Sequence, residues 1–432
     1  MAAGFDARRA MRRTPAHARR DALARIVEGL NRQRDEAAAL LCAEVGKTIR
    51  EARAEVERAI DTFRLASEEA TRLDGRHQRL DISARAEGLE AVWKRVPVGL
   101  CSFITPFNFP LNLAAHKIGP AIAAGCPFVL KPDPRTPLAT LLLGEILAGA
   151  GLPPGSFSIL PIVDEAARDL LVRDERIAML SFTGSPKVGW ALRARAGTKR
   201  VCLELGGNAA CIVDETADLE HAAARITFGA FAVAGQSCIS VQRVLVHRSV
   251  HERLVPMLID RATRLVLGDP RDEKTDLGPM IGEAEAARVH EWIEEARARG
   301  ARVLCGGKRR GALHEPTLME NVPADAPLWC AEVFGPVAVI QPFDTIEEAF
   351  RIANDSRFGL QAGLFTGMLD RALTAWDELE VGGVIINDVP TMRVDSMPYG
   401  GVKESGLGRE GVAFAVEEMT EIRSMVVRRR PG

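Results

Sequence analysis

Hydrophobic residues near the start of the chain recur at intervals of three and four positions. Between Ala18 and about Leu73 they include Leu23, Ile26 and Leu30, and the positions around them are rich in Arg and Glu. This spacing places apolar side chains on one face of a helix. The pattern therefore predicts amphipathic helices over this stretch.

Residues 80–96 follow a different pattern, in which apolar and charged positions alternate. Leu80, Ile82, Leu89 and Trp93 stand beside polar or charged neighbours. Alternation of this kind is typical of strands with one solvated face. We expect a β-hairpin here.

Beyond Val98, short apolar runs alternate with helical stretches. The runs read GLCSFIT, PFVLKP, FSILP and IAMLSFTGS, and a second series extends from residue 211 to residue 388. Strands that are separated by helices pair in parallel through crossover connections. The pattern predicts an α/β protein with two sheet-based units, the first of a nucleotide-binding type, and a boundary between Glu204 and Gly207.

Composition and charge limit the classes of function. The chain has 432 residues, of which 47% are hydrophobic and 26% charged, as in globular proteins with several cores. A net charge of -2 offers no electrostatic footprint for nucleic acid or an anionic membrane. No apolar run is long enough for a spanning helix. We therefore expect neither nucleic acid nor membrane as a partner, and we interpret the Arg-rich start as mature sequence.

The eight cysteines include no CxxC pair and no ligand spacing with histidine. Their arrangement argues against a zinc site and against a disulfide framework. We expect no metal and a reducing, cytoplasmic compartment.

Seven short motifs occur in one order along the chain. They are TPFNFP (105–110), LKP (130–132), FTGS (182–185), ELGG (204–207), GQSC (235–238), EVFGPV (332–337) and PYGGVKESGLGREG (398–411). Together with the spacing from Glu204 to Cys238, they resemble the aldehyde dehydrogenase superfamily over nearly the whole chain. Within it, ITPFNFPLNLAAHK, AGQSCISVQRV and RVDSMPYGG look most similar to the branch of lactaldehyde, phosphonoacetaldehyde and semialdehyde dehydrogenases.

The resemblance implies an α/β fold of three parts. A Rossmann-like NAD(P)-binding domain would comprise residues 1–79 and 98–204, and an α/β catalytic domain residues 205–415. A small oligomerisation sheet would comprise residues 80–97 and 416–432. Its C-terminal strand, EIRSMVVRRR, would present an open edge that another subunit can cover. A homodimer or homotetramer is therefore expected.

The resemblance also implies oxidation of an aldehyde to an acid through a thioester on Cys238. A thiolate adds to the carbonyl, and the adduct then loses a hydride. The other seven cysteines lie in apolar strands or helices, where a buried, inert thiol is usual. Asn108 and the N–H of Cys238 would donate to the alkoxide oxygen. Alternatively, Asn108 only holds a turn between Pro106 and Pro110.

Hydrolysis of the thioester requires a carboxylate that activates water. By resemblance this is Glu204, although its position alone favours a helix cap or a pair with Arg200. Acyl-CoA-forming relatives lack a base here, so Glu204 favours release of a free acid. Glu410 resembles a residue proposed for proton relay, with a surface salt bridge as the alternative. The rival functions are a CoA-acylating semialdehyde dehydrogenase and a catalytically silent binding or structural protein on the same fold.

Cofactor contacts follow from the motifs by the same resemblance. They would be made by Ile104, Thr105, Pro106, Phe107, Lys131, Gly184, Ser185, Gly189, Leu205, Glu332 and Phe334. NAD-specific relatives often have a Glu three positions after the lysine, where this chain has Pro134. Asp133 and Arg135 flank that position with opposite charges, so the choice between NAD and NADP stays open.

Two arginines are candidates for binding an anionic group on the aldehyde. Arg393 lies in the segment TMRVDSMP, and Arg64 lies on a predicted N-terminal helix that in the family lines the substrate entrance. A guanidinium fork binds carboxylate, phosphate or phosphonate well, but either residue can equally be an ordinary surface arginine. Family members usually begin well before the helix near Ala18, so a cofactor sheet without one edge hairpin is expected if this start is natural.

Overall fold

The computed structural model describes residues 1–429. Its helices are α1 (Ala2–Arg13), α2 (Ala16–Arg32), α3 (Arg34–Val45), α4 (Ile49–Glu69), α5 (Pro110–Ala124), α6 (Leu138–Ala148), α7 (Glu165–Arg173), α8 (Pro186–Arg195), α9 (Leu219–Phe231), α10 (Arg248–Thr263), α11 (Glu283–Ala298), α12 (Pro327–Cys330), α13 (Ile346–Asn354), α14 (Leu369–Glu378) and α15 (Val412–Glu418). None of these helices combines the length and apolar character needed to cross a bilayer.

The strands form three larger sheets and two short two-stranded ladders. They are β1 (Gly75–Arg79), β2 (Leu89–Pro97), β3 (Leu100–Ile104), β4 (Phe128–Lys131), β5 (Phe157–Ile159), β6 (Ile177–Thr183), β7 (Arg200–Glu204), β8 (Ala209–Val213), β9 (Val241–His247), β10 (Arg302–Cys305), β11 (Arg309–Arg310), β12 (Leu313–His314), β13 (Thr317–Glu320), β14 (Val337–Phe343), β15 (Phe358–Gly359), β16 (Gln361–Phe365), β17 (Gly383–Ile386), β18 (Val402–Lys403), β19 (Gly406–Leu407) and β20 (Thr420–Arg428).

The first sheet has six strands in the order β19-β7-β6-β3-β4-β5. Its strands are parallel except β19, which runs antiparallel to β7. From β3 the chain passes through α5 to β4, and it later returns to β6 on the other side of β3. The direction of winding therefore reverses between β3 and β6. Ligands of open α/β sheets bind at the carboxyl ends of strands at such a reversal.

Helix α5 crosses the core of the first unit, and all of its residues are buried. It nevertheless carries Asn112, His116 and Lys117, whose polar atoms must find partners inside the protein. All three side chains bond to groups close to the cavity described below. The helix therefore connects the core with the site.

The second sheet has seven strands in the order β10-β13-β14-β9-β8-β16-β17. All neighbours are parallel except β10 and β13. Apolar side chains of α9, α10 and α11 pack with β9, β13 and β14 in one core cluster. The α/β class with two sheet-based units, expected from the sequence, is confirmed.

The third sheet is antiparallel, with the order β1-β2-β20. The hairpin predicted within residues 80–96 is displaced, because its first strand is Gly75–Arg79 and residues 80–88 connect it to Leu89–Pro97. Strand β1 thus pairs within this sheet and not with the six-stranded sheet, although the predicted NAD(P)-binding domain extends to residue 79. The C-terminal strand pairs with β2 over residues 420–428, and residues 430–432 lie outside the described part of the chain.

Two further expectations need correction. The helical start begins at Ala2 and not near Ala18, because α1 precedes α2. The segment assigned to the catalytic domain up to residue 415 also returns to the first unit. Strand β19 hydrogen-bonds to β7, and Val412 and Val416 of α15 join the core around α5.

Candidate active site

A cavity of about 1200 Å³ lies between the two α/β units. On one side it is lined from the carboxyl ends of four neighbouring strands, by Ile104 of β3, Lys131 of β4, Thr183 of β6 and Glu204 of β7. Parallel pairing brings these ends to one edge although they are far apart in the chain. Segments of the second unit, including Cys238, form the opposite wall.

Cys238 is positioned by an irregular connection between α9 and β9. Val233 and Ala234 have φ values of 51° and 53°, which non-glycine residues seldom adopt. A Cβ atom on Gly235 would lie 2.0 Å from a backbone oxygen, and one on Gly207 would lie 2.2 Å from the carbonyl oxygen of Cys238. Gly207 of ELGG therefore allows the backbone of Cys238 to approach, and Gly235 of GQSC allows Gly335 of EVFGPV to approach.

The sulfur of Cys238 contacts one side chain with a hydrogen bond. Its Sγ atom lies 3.1 Å from Oη of Tyr399. Burial raises the pKa of the Cys238 thiol to about 12, while the hydrogen bond with Tyr399 and the nearby Arg393 act in the opposite direction. The resting side chain is therefore a protonated thiol at neutral pH, and its ionisation requires neighbouring groups that stabilise the thiolate.

All eight cysteines lie within residues 1–429, and Cys238 alone among them lines the cavity. Five of the others are buried, as expected, and Cys305 is partly buried. Cys330 is exposed, contrary to the expectation, because the short helix α12 ends with it at the surface. Cys238 is therefore the only cysteine in contact with the cavity.

Glu204 is buried at the end of β7 and lines the cavity. Neither of its carboxylate oxygens has a hydrogen-bond partner among the described residues, so it neither caps a helix nor pairs with Arg200. Burial, followed by the charge of Glu410, holds its pKa well above the usual range. A carboxyl group of this kind takes up a proton at neutral pH and is a strong base once ionised.

Glu410 is a buried residue, and the surface salt bridge considered for it is therefore excluded. Lys117 Nζ lies 3.0 Å from its Oε1 atom, and Arg393 lies 3.1 Å from its Oε2 atom. Although burial opposes ionisation, these two cations lower the pKa of Glu410 to about 2. Of the two neighbouring carboxyl groups, Glu410 thus holds the negative charge and Glu204 the proton.

Asn108 and Cys238 line the same cavity. The Nδ2 atom of Asn108 donates to the backbone oxygen of Gln236, two residues before the cysteine, at 2.9 Å. The amide group carries two N–H bonds, and this hydrogen bond uses one of them. Asn108 therefore ties its loop to the cysteine loop.

Ten of the eleven predicted cofactor residues line the cavity. Gly189 does not, because it lies behind Leu205, whose Cδ2 atom would be 2.4 Å from a Cβ at that position. Glu332 accepts from the N–H of Gly207 at 2.9 Å, and burial raises its pKa to about 7. The rings of Phe107 and Phe334 meet edge to face at 5.8 Å.

The cavity wall fits a polar, extended ligand. The hydroxyl groups of Thr105 and Thr183 are buried beside it and have no partner among the described residues. Buried hydroxyl groups without a hydrogen-bond partner are rare in protein structures unless a ligand or a water molecule supplies the partner. Their place at the winding reversal between β3 and β6 is where a dinucleotide is expected.

One end of the cavity is rich in charge. Lys131 is surrounded by Asp133, Arg135 and Arg168, and burial together with the two arginines lowers its pKa. Asp133 is already occupied by two hydrogen bonds from the guanidinium of Arg135. The guanidinium also lies 4.4 Å from the centre of the Phe107 ring.

The two predicted substrate arginines have different positions. Arg393 is buried, lines the cavity and stacks 3.7 Å from the centre of the Tyr399 ring, and its Nε atom has no partner among the described residues. Arg64 does not line the cavity, because it lies on an exposed face of α4 and pairs with Asp61. The arginine of α4 that does line it is Arg58.

Sequence reasoning missed four polar groups of the site. They are Arg58, Lys117, Tyr399 and the buried Asp395, which accepts from Arg58 and bonds to His116. Tyr399 is the only tyrosine of the chain and stands inside a motif that was recognised, so its rarity was a usable signal. Lys117 and His116 lie in an apolar helix, where a buried polar residue needs a partner.

Comparison with known proteins shows which family and which solved structures this chain is similar to. A model described as the aldehyde dehydrogenase family matches residues 1–425. A 3-sulfolactaldehyde dehydrogenase of Priestia megaterium is 47% identical over 409 residues, which cover 95% of this chain and 86% of the relative. The crystal structure of aldehyde dehydrogenase 21 from Physcomitrella patens, in complex with the reaction product succinate, has a TM-score of 0.98 at 46% identity and covers 99% of this chain and 89% of that one. The glyceraldehyde-3-phosphate dehydrogenase GapN of Methanocaldococcus jannaschii, complexed with NADP, has a TM-score of 0.95 at 39% identity, with coverage of 99% and 93%.

Proposed function

Because this chain belongs to the aldehyde dehydrogenase family, we propose that it oxidises an aldehyde through a thioester on Cys238 and hydrolyses that thioester with water activated by Glu204. The family and the use of NAD or NADP agree with what the motifs predicted. The observation that carries the mechanism is the meeting of Cys238, Asn108 and Glu204 in one cavity.

The first half of the reaction forms the thioester. The ionised sulfur of Cys238 adds to the carbonyl carbon of the aldehyde, and the second N–H of the Asn108 amide donates to the negative oxygen. A bound NAD or NADP supplies the acceptor for the hydride that leaves the adduct. The product that remains on Cys238 is a thioester at the oxidation level of a carboxylic acid.

The second half releases the acid. Ionised Glu204 takes a proton from water, whose oxygen attacks the thioester carbon. The C–S bond then breaks, the sulfur of Cys238 leaves as a thiolate, and the carboxylic acid departs. The charge of Glu410, fixed by Lys117 and Arg393, makes Glu204 the member of the pair that exchanges the proton.

Residues for holding the cofactor lie along the cavity wall. Lys131 would bind near the adenosine ribose, Gly184 and Ser185 near the pyrophosphate, and Glu332 with Phe334 near the nicotinamide ribose. These positions support the assignment because they follow the carboxyl ends of β4 and β6 or face them across the cavity.

We propose a small aldehyde with an anionic group as the substrate class. Arg393 lines the cavity and has an Nε–H without a partner among the described residues, and Arg58, which pairs with Asp395, lines the same cavity. One relative is named for 3-sulfolactaldehyde, and the structure of another is a complex with its reaction product succinate. Both names support a short, negatively charged substrate.

A reducing, cytoplasmic location and an assembly of identical subunits belong to the same proposal. All eight cysteines are free thiols, which suits a reducing compartment. The outer strand β20 is exposed along nearly its whole length, which suits contact with another subunit.

Turnover measurements test the proposal. Lactaldehyde, 3-sulfolactaldehyde, succinate semialdehyde, glyceraldehyde 3-phosphate, phosphonoacetaldehyde and simple aliphatic aldehydes are each assayed with NAD and NADP by the absorbance of the reduced cofactor. Cys238→Ala is expected to lower the rate by at least about 10³-fold, and Cys330→Ala, at an exposed thiol outside the cavity, to leave it unchanged. Sustained activity of Cys238→Ala, or turnover that depends on coenzyme A, contradicts the proposal.

A further inference from the structure

Tyr399 is held rigidly beside the sulfur of Cys238. Its backbone N–H and carbonyl both bond to the backbone of Glu410, at 3.0 and 2.6 Å. The side chain is 3% exposed, and its hydroxyl bonds to Sγ of Cys238 at 3.1 Å. No second hydrogen bond of this hydroxyl is found within residues 1–429. The sulfur of Cys238 is therefore the only hydrogen-bond partner of this hydroxyl among the described residues.

The surroundings keep this hydroxyl in its donor form. Burial, followed by the nearby Cys238, raises the pKa of Tyr399 well above its usual value, so the phenol is protonated at neutral pH. A protonated phenol next to a thiolate can only donate to it. Tyr399 is therefore unsuited to be a base and well suited to stabilise negative sulfur.

Arg393 strengthens that donor. Its guanidinium carbon lies 3.7 Å from the centre of the Tyr399 ring, and a cation over the ring face withdraws electron density from the phenol. The ion pair of Arg393 with Glu410 fixes the cation in this place. Arg393 thus stacks on the ring whose hydroxyl bonds to Cys238, and its charge makes that hydroxyl a stronger donor.

We propose that Tyr399 is a catalytic hydrogen-bond donor to the Cys238 sulfur, which stabilises the thiolate before attack and again when the thioester C–S bond breaks. This inference rests on the proposed role of Cys238 as nucleophile. It adds a group that acts on sulfur to the group, Asn108, that acts on the substrate oxygen.

The test measures the ionisation of Cys238 directly. The rate of alkylation by iodoacetamide is followed against pH by mass spectrometry of the tryptic peptide 226–243, in which Cys238 is the only cysteine. For Tyr399→Phe, we expect the midpoint to rise by about one pH unit or more and the rate near pH 8 to fall about tenfold. Exposed Cys330 in the same digest controls for reagent reactivity.

A matched variant controls for the loss of a hydrogen bond from an aromatic side chain. Trp190 donates through Nε1 to the backbone oxygen of Glu404 at 3.3 Å and does not line the cavity. Trp190→Phe is expected to leave the alkylation midpoint of Cys238 unchanged. An unchanged midpoint in Tyr399→Phe, or faster alkylation without a change of midpoint, overturns the proposal.

A second measurement requires no substitution at Tyr399. Because the chain has one tyrosine, 3-fluorotyrosine gives a single ¹⁹F signal at this position. We expect that signal to titrate with the alkylation midpoint of Cys238 and to lose this titration in Cys238→Ala. A titration that persists in Cys238→Ala contradicts the contact. If instead Cys238→Ala still oxidises aldehydes, the proposed function fails while the two measurements on Tyr399 keep their meaning.

Discussion

The ammonium nitrogen of Lys47 lies 2.7 Å from the backbone oxygen of Asn108. Lys47 also pairs with Glu55, and both side chains are fully buried. The other carboxylate oxygen of Glu55 accepts from the backbone N–H groups of Leu111 and Asn112, at 3.0 and 3.1 Å. The buried pair thus holds the loop that carries Asn108 and the start of the helix that follows.

Replacing Lys47 is expected to destabilise the protein and misplace Asn108. Lys47→Met leaves Glu55 as a buried charge without its cation, which costs about 3–5 kcal/mol of the free energy of unfolding, measured by urea denaturation. The control is Arg34→Ala, which breaks an exposed pair with Glu57 on the same helix as Glu55 and costs less than about 1 kcal/mol. Equal stability of the two variants contradicts the role of the buried pair.

The example of Lys47 shows why part of the site was hidden in the sequence. A single lysine after a helical stretch reads as a surface residue, and only the packing of α3, α4 and α5 reveals that it is buried. The motifs identified Glu204 and Lys131 by resemblance, and parallel strands place the carboxyl ends that carry them together. Gly189 and Arg64 do not line the cavity, and the sequence could not show this, because a motif or helix indicates a region and does not fix which side of it faces the cavity.

Replacing Glu204 is expected to separate the two halves of the reaction. Glu204→Gln keeps the size of the side chain but cannot take a proton from water, so a burst of about one reduced cofactor per active site is followed by a steady rate lowered about 10²–10⁴-fold. Rapid-mixing absorbance measures the burst, and acid quenching traps the acyl group on Cys238. Exposed Glu404→Gln is the control. A normal steady rate in Glu204→Gln excludes this carboxylate as the base.

The activity is expected to rise with pH. In the proposed mechanism two groups lose a proton, and burial raises the pKa of both, to about 12 for Cys238 and well above the usual range for Glu204. Lower pH keeps both protonated, so kcat/KM should increase from about pH 6 to about pH 9 without a plateau near neutrality. Initial rates in a buffer of constant ionic strength provide the profile. A profile that falls over this range contradicts the requirement for both ionised groups.

NADP is expected to bind more tightly than NAD. Lys131 and Arg168 lie together at one end of the cavity, while the charge of Asp133 is balanced by Arg135. Pro134 offers no carboxylate to repel a 2′-phosphate. Arg168→Ala should therefore weaken NADP about tenfold and NAD little, because Coulomb attraction to the phosphate is lost. Arg173→Ala, an exposed residue of the same helix, is the control, and equal losses for both cofactors contradict the assignment.

The outer strand β20 leaves apolar side chains uncovered. Ile422 and Val426 are 59% and 55% exposed, and Met425 and Val427 are also exposed on the alternate positions, so both faces of the strand carry uncovered apolar side chains. A strand of this kind also has unpaired backbone groups along its free edge, which a second copy of the chain can satisfy. We expect a homodimer or homotetramer by size-exclusion chromatography with light scattering. The double variant Ile422→Asp with Val426→Asp should lower the assembly state, because buried carboxylates would lack partners, whereas Leu369→Asp, exposed on α14, should not. A monomeric wild-type protein would contradict the proposal that β20 forms a contact between subunits.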